Sequence, residues 1–476
     1  MPIQFTKLPD IPSGYDPNDP WASDKLDRQK LTIPLNSFLS QTPGPFVIAI
    51  DSGWGSGKSL FLQMWADDLR HIQGKPCLDF NAWEHDYTDD PLIPFLDELM
   101  AFSEQVAAKV GSVHTLIEKL RRKSLSIVKM APKSLLKITL KYLATKGVDL
   151  HEIFSEDNID DIDKDGLASS LADIGCDLFE SYRAKKKSID DFKRILSQLA
   201  LEVSNNYDGA PLVIMVDELD RCRPDYAVLL LERIKHLFGV GGIIFVLAIE
   251  SKQLCCTIKS LYGNELHSGI YLRKFIDLWY TLPQPDAKAF ISYLVETNDL
   301  SRRFNDEQMD IFIDSTSEIF YKSSLHLRDM SQIFLRLSVV TKSYDLDWIN
   351  STIIVFYLVY QLINPDLYKK LSVSPHEYSA MHDIVGASNY LPASSRPAAI
   401  FESVFAYMKS GTNGLEKLVQ SAREQLRRSA TDTAKFSFII TNKETIYSTA
   451  PQFAKIIECI NLAGSIEISP VGEYPA

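Results

Sequence analysis

The chain has 476 residues, 45% of them apolar and 24% charged, which is ordinary globular composition with length for about two or three domains. A formal net charge of −12 favours solubility and argues against binding nucleic acid or anionic lipid over the whole surface. Only a local basic face is left for such partners.

Met1-Pro2-Ile3-Gln4-Phe5 has no basic region and no long apolar run, so no secretory signal is expected. None of the six cysteines (Cys77, Cys176, Cys222, Cys255, Cys256 and Cys459) has C-x-x-C or zinc-finger spacing. Reduced, mostly buried thiols in a cytoplasmic protein are the expectation. Residues 1–24 are rich in Pro, Asp and Ser and read as a surface wrap. Asp24-Lys25-Leu26-Asp27-Arg28 opens a short helical pattern through Phe38-Leu39, which Gln41-Thr42-Pro43-Gly44-Pro45 breaks.

The apolar run Phe46-Val47-Ile48-Ala49-Ile50-Asp51 predicts a strand, and Leu60-Phe61-Leu62-Gln63-Met64-Trp65 predicts a helix. Between them lies Ser52-Gly53-Trp54-Gly55-Ser56-Gly57-Lys58-Ser59. Strand, glycine-rich turn, Lys-Ser and helix is the order that a phosphate-binding P-loop requires. Glycines let successive N–H groups face a polyphosphate, and the helix N-terminus adds its positive dipole end. Gly53, Trp54, Gly55, Ser56, Gly57, Lys58, Ser59 and Leu60 are therefore the candidate nucleotide-binding residues. Lys58 supplies a full charge and Ser59 a ligand for Mg²⁺. The pattern G-x-x-x-x-G-K-[ST] has Gly where this chain has Ser52, and Gly53 and Gly55 are expected to cover the bend.

Cys77-Leu78-Asp79-Phe80 is the next strand candidate, and a helix is expected from about Pro91 through Val110. Residues 111–200 change character. From Lys119 to Lys146 positive charge recurs between apolar residues, at Arg121, Arg122, Lys123, Lys129, Lys133, Lys137 and Lys141. This reads as a basic amphipathic helix pair broken near Pro132. Two readings stand: a solvated face packed on the domain, or a surface for nucleic acid, anionic lipid or an acidic partner. Asp161-Ile162-Asp163-Lys164-Asp165-Gly166 imitates an EF-hand loop, but Ala172 stands at the twelfth position, which needs Glu, so an acidic loop is the better reading. A helix is expected from Ile189 through Val203.

Pro211 to Val216 is apolar and ends in Asp217-Glu218, as a buried parallel strand would. Asp217 at that strand end can hold Mg²⁺ opposite Ser59, and Glu218 is placed to polarise an attacking water. Phosphoryl transfer needs little more than a phosphate cradle, a metal, a positioned nucleophile and charge neutralisation. ATP and Mg²⁺ are thus the expected ligands. A helix follows over Pro224 to Phe238 and a buried strand over Gly242 to Ile249. After Leu282-Pro283-Gln284-Pro285 the chain is mostly helical to about Tyr368, looser over 375–400, and helical again at 400–430 and 450–463. The apolar run Ile353 to Tyr360 falls short of the ~20 residues needed to span a bilayer and reads as a buried helix, so no integral membrane segment is expected. The expected division is 1–110 (first part of the NTPase domain), 111–200 (helical insertion), 201–285 (second part) and 286–476 (helical C-terminal domain).

Candidate cations beyond Lys58 for transition-state charge are Arg221, Arg223, Arg273, Lys274 and Arg328, with surface or interdomain salt bridges as the alternative role for each. Glu250 and Ser251, at a strand end, are candidates for sensing the γ-phosphate. The rings of Trp54 and Trp83 are expected to pack around the nucleotide pocket. His85 has no Cys or His near it in sequence and is not read as a metal ligand.

Val216-Asp217-Glu218-Leu219-Asp220-Arg221-Cys222-Arg223-Pro224 resembles the V-D-D-L-D-R-C-x-P signature of the KAP family of P-loop NTPases. The Gly-Trp-Gly-Ser-Gly-Lys-Ser run, Phe80-Asn81-Ala82-Trp83, Phe245 to Ile249, Tyr271 to Ile276 with Leu282-Pro283, and Asp24 to Arg28 are similar to further elements of that family, in order, over about residues 20–340. Arg328 matches the arginine of its N-x-R-x-I-K-R segment. The departures are Ser52 for Gly, Glu218 for the second Asp, and Arg273 for an acidic residue. Many bacterial members carry transmembrane helices where this chain has its basic amphipathic stretch. The resemblance implies a three-layer α/β P-loop NTPase with an ASCE-type parallel sheet, the Ile249 strand lying between the P-loop strand and the Asp217 strand. An inserted helical region and a helical C-terminal domain complete that fold class. It also implies a homo-oligomer, a separate effector protein, and bacterial defence against phage or mobile DNA, with the NTPase as switch or motor. The alternative is a nucleotide-bound scaffold with little turnover. A small-molecule kinase fits poorly with the long interval between motifs and the helical C-terminal half.

Overall fold

The computed structural model describes residues 15–109, 115–120, 186–187, 189–284, 286–323, 325–365, 396–428, 433–449 and 453–465. Its centre is a five-stranded sheet of β1 (Phe46–Asp51), β2 (Cys77–Asn81), β3 (Leu212–Asp217), β4 (Ile243–Ile249) and β5 (Leu278–Thr281), in the order β2-β3-β4-β1-β5. All its pairings are parallel. β4 lies between β1 and β3, the order that the family resemblance implies. Register brings the strand ends together: Asp51 pairs with Ile249, and Asn81 with Asp217. In a parallel sheet ligands bind beyond the C-terminal strand ends, where the strand order reverses. Here that place is the end of β1.

Continuous apolar runs form β1, β3 and β4 because both sheet faces are covered. Val47, Ala49, Ile214 and Val216 join a core with α3 (Leu92–Lys109), α4 (189–205), α5 (Pro224–Phe238) and α6 (Ser251–Tyr262). Ile48, Ile50, Val213 and Met215 join a second core with α1 (Gln29–Gln41) and α2 (Lys58–Asp67). Helix, sheet and helix make the three layers. A short helix, α7 (Ser268–Leu272), leads into β5.

A third core belongs to the helical C-terminal region. It comprises α8 (Ala287–Thr297), α9 (Asp306–Ser323), α10 (Leu327–Ser343), α11 (Trp348–Ile363), α12 (Arg396–Arg428), α13 (Thr433–Thr441), α14 (Lys443–Thr449) and α15 (Phe453–Ser465). α11 is buried from Trp348 to Tyr360, so the apolar run that invites a membrane reading is the centre of this bundle. Among the described residues no helix is long and apolar enough to cross a membrane.

Two local features differ from expectation. Asp24–Arg28 is not helical, because Asp24 accepts the N–H groups of Leu26, Arg28 and Gln29 and the helix starts at Gln29. β5 was not anticipated. Trp54 and Trp83 are 43% and 38% exposed. Residues 121–185, which carry nearly all of the basic stretch, the EF-hand-like loop and Cys176, lie outside the described residues, as do 366–395.

Candidate functional site

The loop between β1 and α2 turns on Gly55 (φ 72°) and Gly57 (φ 81°), a left-handed backbone that only glycine adopts freely. Ser52 is not in that region, which explains why Ser is tolerated there. Its N–H donates to the Ile249 carbonyl at 3.2 Å, tying the loop's entry to β4. Gly57 precedes α2 and offers no side-chain cap, so the first N–H groups of that helix are left for another acceptor. Ser56 Oγ is buried and unpartnered beside them. The Lys58 amine, 8% exposed, folds back on the loop and donates to the carbonyls of Ser52 and Gly53. Burial pulls its pKa down, opposed by Asp220, Glu250, Asp217 and Asp51. These four carboxylates favour its charged form.

The Ser59 hydroxyl, in the first turn of α2, interacts with the Asp217 carboxyl at the end of β3 and favours its charged form. Asp217 Oδ1 also accepts the Glu218 N–H at 2.8 Å. Burial raises the Asp217 carboxyl above its usual range, while the Ser59 hydroxyl and the Glu218 amide oppose the rise. A hydroxyl and a carboxylate held together are hard oxygen donors suited to Mg²⁺, which is bound by one or two such groups beside phosphate. Uncapped amides, an orphaned Ser56 hydroxyl and this oxygen pair fit a metal-bound polyphosphate.

Glu218 sits at φ 58° and ψ 23°, a left-handed backbone unusual for a residue with a side chain. Its carboxylate pairs with Arg221 at 2.8 Å, and the Arg221 guanidinium lies 5.8 Å from the centre of the Trp83 ring. Trp54 Nε1 donates to buried Asp220, and the Trp54 N–H donates to Glu250 at 3.2 Å. The two tryptophans thus flank the acidic strand end through polar and ring contacts.

The structure brings Lys58, Ser59, Asp217, Glu218, Asp220 and Arg221 together. It brings Arg328 to the loop by its backbone, whose N–H donates to the Gly55 carbonyl at 3.3 Å. Arg223 is elsewhere, donating to the Asp86 side chain and carbonyl. Arg273 and Lys274 are exposed, and Lys274 lies over Tyr271. Ser251 N–H donates to Asp51. His85 stacks on Phe80 at 5.2 Å.

Two neighbours of the loop carried no role in the sequence reading. His326, which precedes α10, stands against Gly53: a Cβ there would lie 2.8 Å from His326 Cε1. Arg28 donates to the carbonyls of Ser56 at 2.7 Å and Gly57 at 3.0 Å. Its place in the Asp24–Arg28 motif was the available signal, but nothing local says that the side chain reaches the loop.

A family model for the KAP family P-loop domain matches residues 34–344. It spans the sheet, the acidic strand end and α10. Among curated proteins, an uncharacterized protein of Methanocaldococcus jannaschii is 28% identical over 171 residues, which are 35% of this chain and 86% of that protein.

Proposed function

The chain belongs to the KAP family of P-loop domains, and from that premise we propose that it binds and hydrolyses ATP with Mg²⁺. The observation that carries the reading is the meeting of Ser59 with Asp217 beside buried Lys58, with Glu218 next along the chain. Ser59 and Asp217 would hold the metal, which neutralises phosphate charge when bound. Lys58 stabilises charge on the transferring group. The Glu218 carboxylate takes the proton of the attacking water. Arg328, on the helix that meets the loop, is the proposed further cation. Arg221 is assigned first to holding Glu218.

In this reading the protein is a cytoplasmic switch or motor subunit: a homo-oligomer with a separate effector, serving defence against phage or mobile DNA. The alternative, a nucleotide-bound scaffold with little turnover, draws support from one contact, because the Glu218 carboxylate is engaged by Arg221. Steady-state hydrolysis by Glu218→Gln separates the two. Turnover is expected to fall at least about tenfold while nucleotide binding persists. Lys58→Ala is expected to lose binding itself. Absence of turnover in the wild type, with every candidate partner and nucleic acid supplied, leaves the scaffold. A nucleic-acid contact through residues 119–146 is tested by reversing Lys133, Lys137 and Lys141, which should abolish retention on DNA or RNA.

A further inference from the structure

Arg28 is 4% exposed, and among the described residues no carboxylate forms an ion pair with it. Its guanidinium is spent on two backbone carbonyls, those of Ser56 and Gly57, while its Nε has no partner. Burying a cation outside an ion pair is costly, and the charge of Asp24 offsets part of that cost. Burial lowers its pKa to about 10, so the group is still charged at neutral pH. Asp24 fixes the backbone that presents it, accepting the Arg28 N–H at 2.6 Å.

The peptide unit is planar and trans, so a carbonyl and the N–H that follows it point in opposite directions. The Ser56 carbonyl shares its peptide with the Gly57 N–H, and the Gly57 carbonyl with the Lys58 N–H. A donor on those two oxygens therefore fixes the planes of both peptides. It also polarises the two N–H groups that point away from Arg28, since hydrogen bonds in series strengthen one another. Gly57 accepts a second bond from the Phe61 N–H at 3.1 Å, which locks the second plane to α2.

We propose that Arg28 is a positioning residue for phosphate: it holds and polarises the Gly57 and Lys58 amides as donors to a bound nucleoside triphosphate, whose negative charge adds to that of Asp24 in balancing it. The proposal rests on the nucleotide reading above. Lysine cannot replace arginine here, because one ammonium does not span two carbonyls as the planar fork does.

The test uses the full chain, MgATPγS titrated by calorimetry, and the amide resonances of Gly57 and Lys58 without nucleotide. Arg28→Ala and Arg28→Lys are expected to weaken MgATPγS binding by tenfold or more. Millimolar guanidinium, below denaturing concentration, should restore most of the loss in Arg28→Ala and none in Lys58→Ala. The Gly57 and Lys58 nitrogens should move upfield in both Arg28 variants and return on rescue. Wild-type affinity in both variants overturns the proposal. So does a loss that guanidinium does not relieve, with the two amides unmoved, which would make Arg28 a packing residue only. If the wild type binds no MgATPγS yet the two amides respond to Arg28, the nucleotide reading falls and the polarising contact stands. Should Arg28→Ala fail to fold, Arg28→Lys keeps the stem and the charge and decides the question by the same amides.

Discussion

Gly53 and Gly55 both face the start of α10, but each needs glycine for a different reason. At Gly53 the backbone is ordinary, and the atoms nearest an added Cβ are those of the His326 ring, with Cε1 at 2.8 Å. At Gly55 φ is 72°, and an added Cβ meets Arg328 Cβ at 2.8 Å. Gly53→Ala is therefore a steric fault that a smaller partner relieves, whereas Gly55→Ala carries left-handed strain of about 1–3 kcal/mol whatever its partner. Thermal unfolding of two double-mutant cycles checks this: His326→Ala should recover most of the loss in Gly53→Ala, while Arg328→Gly, which removes the Cβ that Gly55→Ala meets, should recover little of the loss in Gly55→Ala. Equal recovery at both sites would show that crowding alone decides them. The same residue scale separates the two acids at the end of β3. Asp217 is held by Ser59 and its own neighbour's amide, while Glu218 takes a left-handed backbone that turns its side chain toward Arg221. Strain of that kind collects at functional sites, where surrounding contacts hold it.

Elements with both faces covered were legible, because burial on both sides writes an unbroken apolar run; β1, β3 and β4 are of this kind. β5 was not, because Leu-Trp-Tyr-Thr is short, lies at the sheet edge and alternates half-buried with exposed residues. The P-loop could be read since its chemistry is local in sequence. The Arg28 and His326 contacts could not, since each joins the loop to a segment distant along the chain. The helical bundle adds a feature of its own at the start of α11. Asp347 caps that helix, accepting the Asn350 N–H at 2.8 Å. Burial pushes its carboxyl up to about 6, against the pull of the Asn350 and Ile349 amides. The native state then holds this proton more tightly than the unfolded chain does. Its contribution is fully present below the ordinary carboxylate range of about 4 and is lost as pH rises through about 6. Asn caps as well as Asp and carries no charge. Asp347→Asn should thus match the wild type in denaturant unfolding at pH 4 and exceed it by on the order of 1–2 kcal/mol at pH 7.5. Parallel stability curves across that range would remove the buried charge from the account.

For the molecule as a whole, the loop is gripped from two directions. Arg28 holds the carbonyls of Ser56 and Gly57, and the start of α10 holds Gly53 and Gly55 through His326 and Arg328. α10 is also a wall of the C-terminal core, where Met330, Ile333, Phe334 and Leu337 pack with α11. Close-packed interiors pass displacement on rather than absorb it. A change in the loop that moved the Gly55 carbonyl or the Gly53 backbone would meet α10 at once, since both contacts leave no room for a methyl group. Two sites joined this way share a coupling free energy that acts equally in both directions. MgATPγS is therefore expected to alter hydrogen exchange in the first turn of α10 and, through the shared core, in α11, with His326→Ala reducing the change in both. A partner that binds the helical bundle should shift nucleotide affinity by the same factor by which nucleotide shifts the partner's. Exchange confined to the loop and α2, with α10 silent, would show that the bundle is carried beside the site and not driven by it.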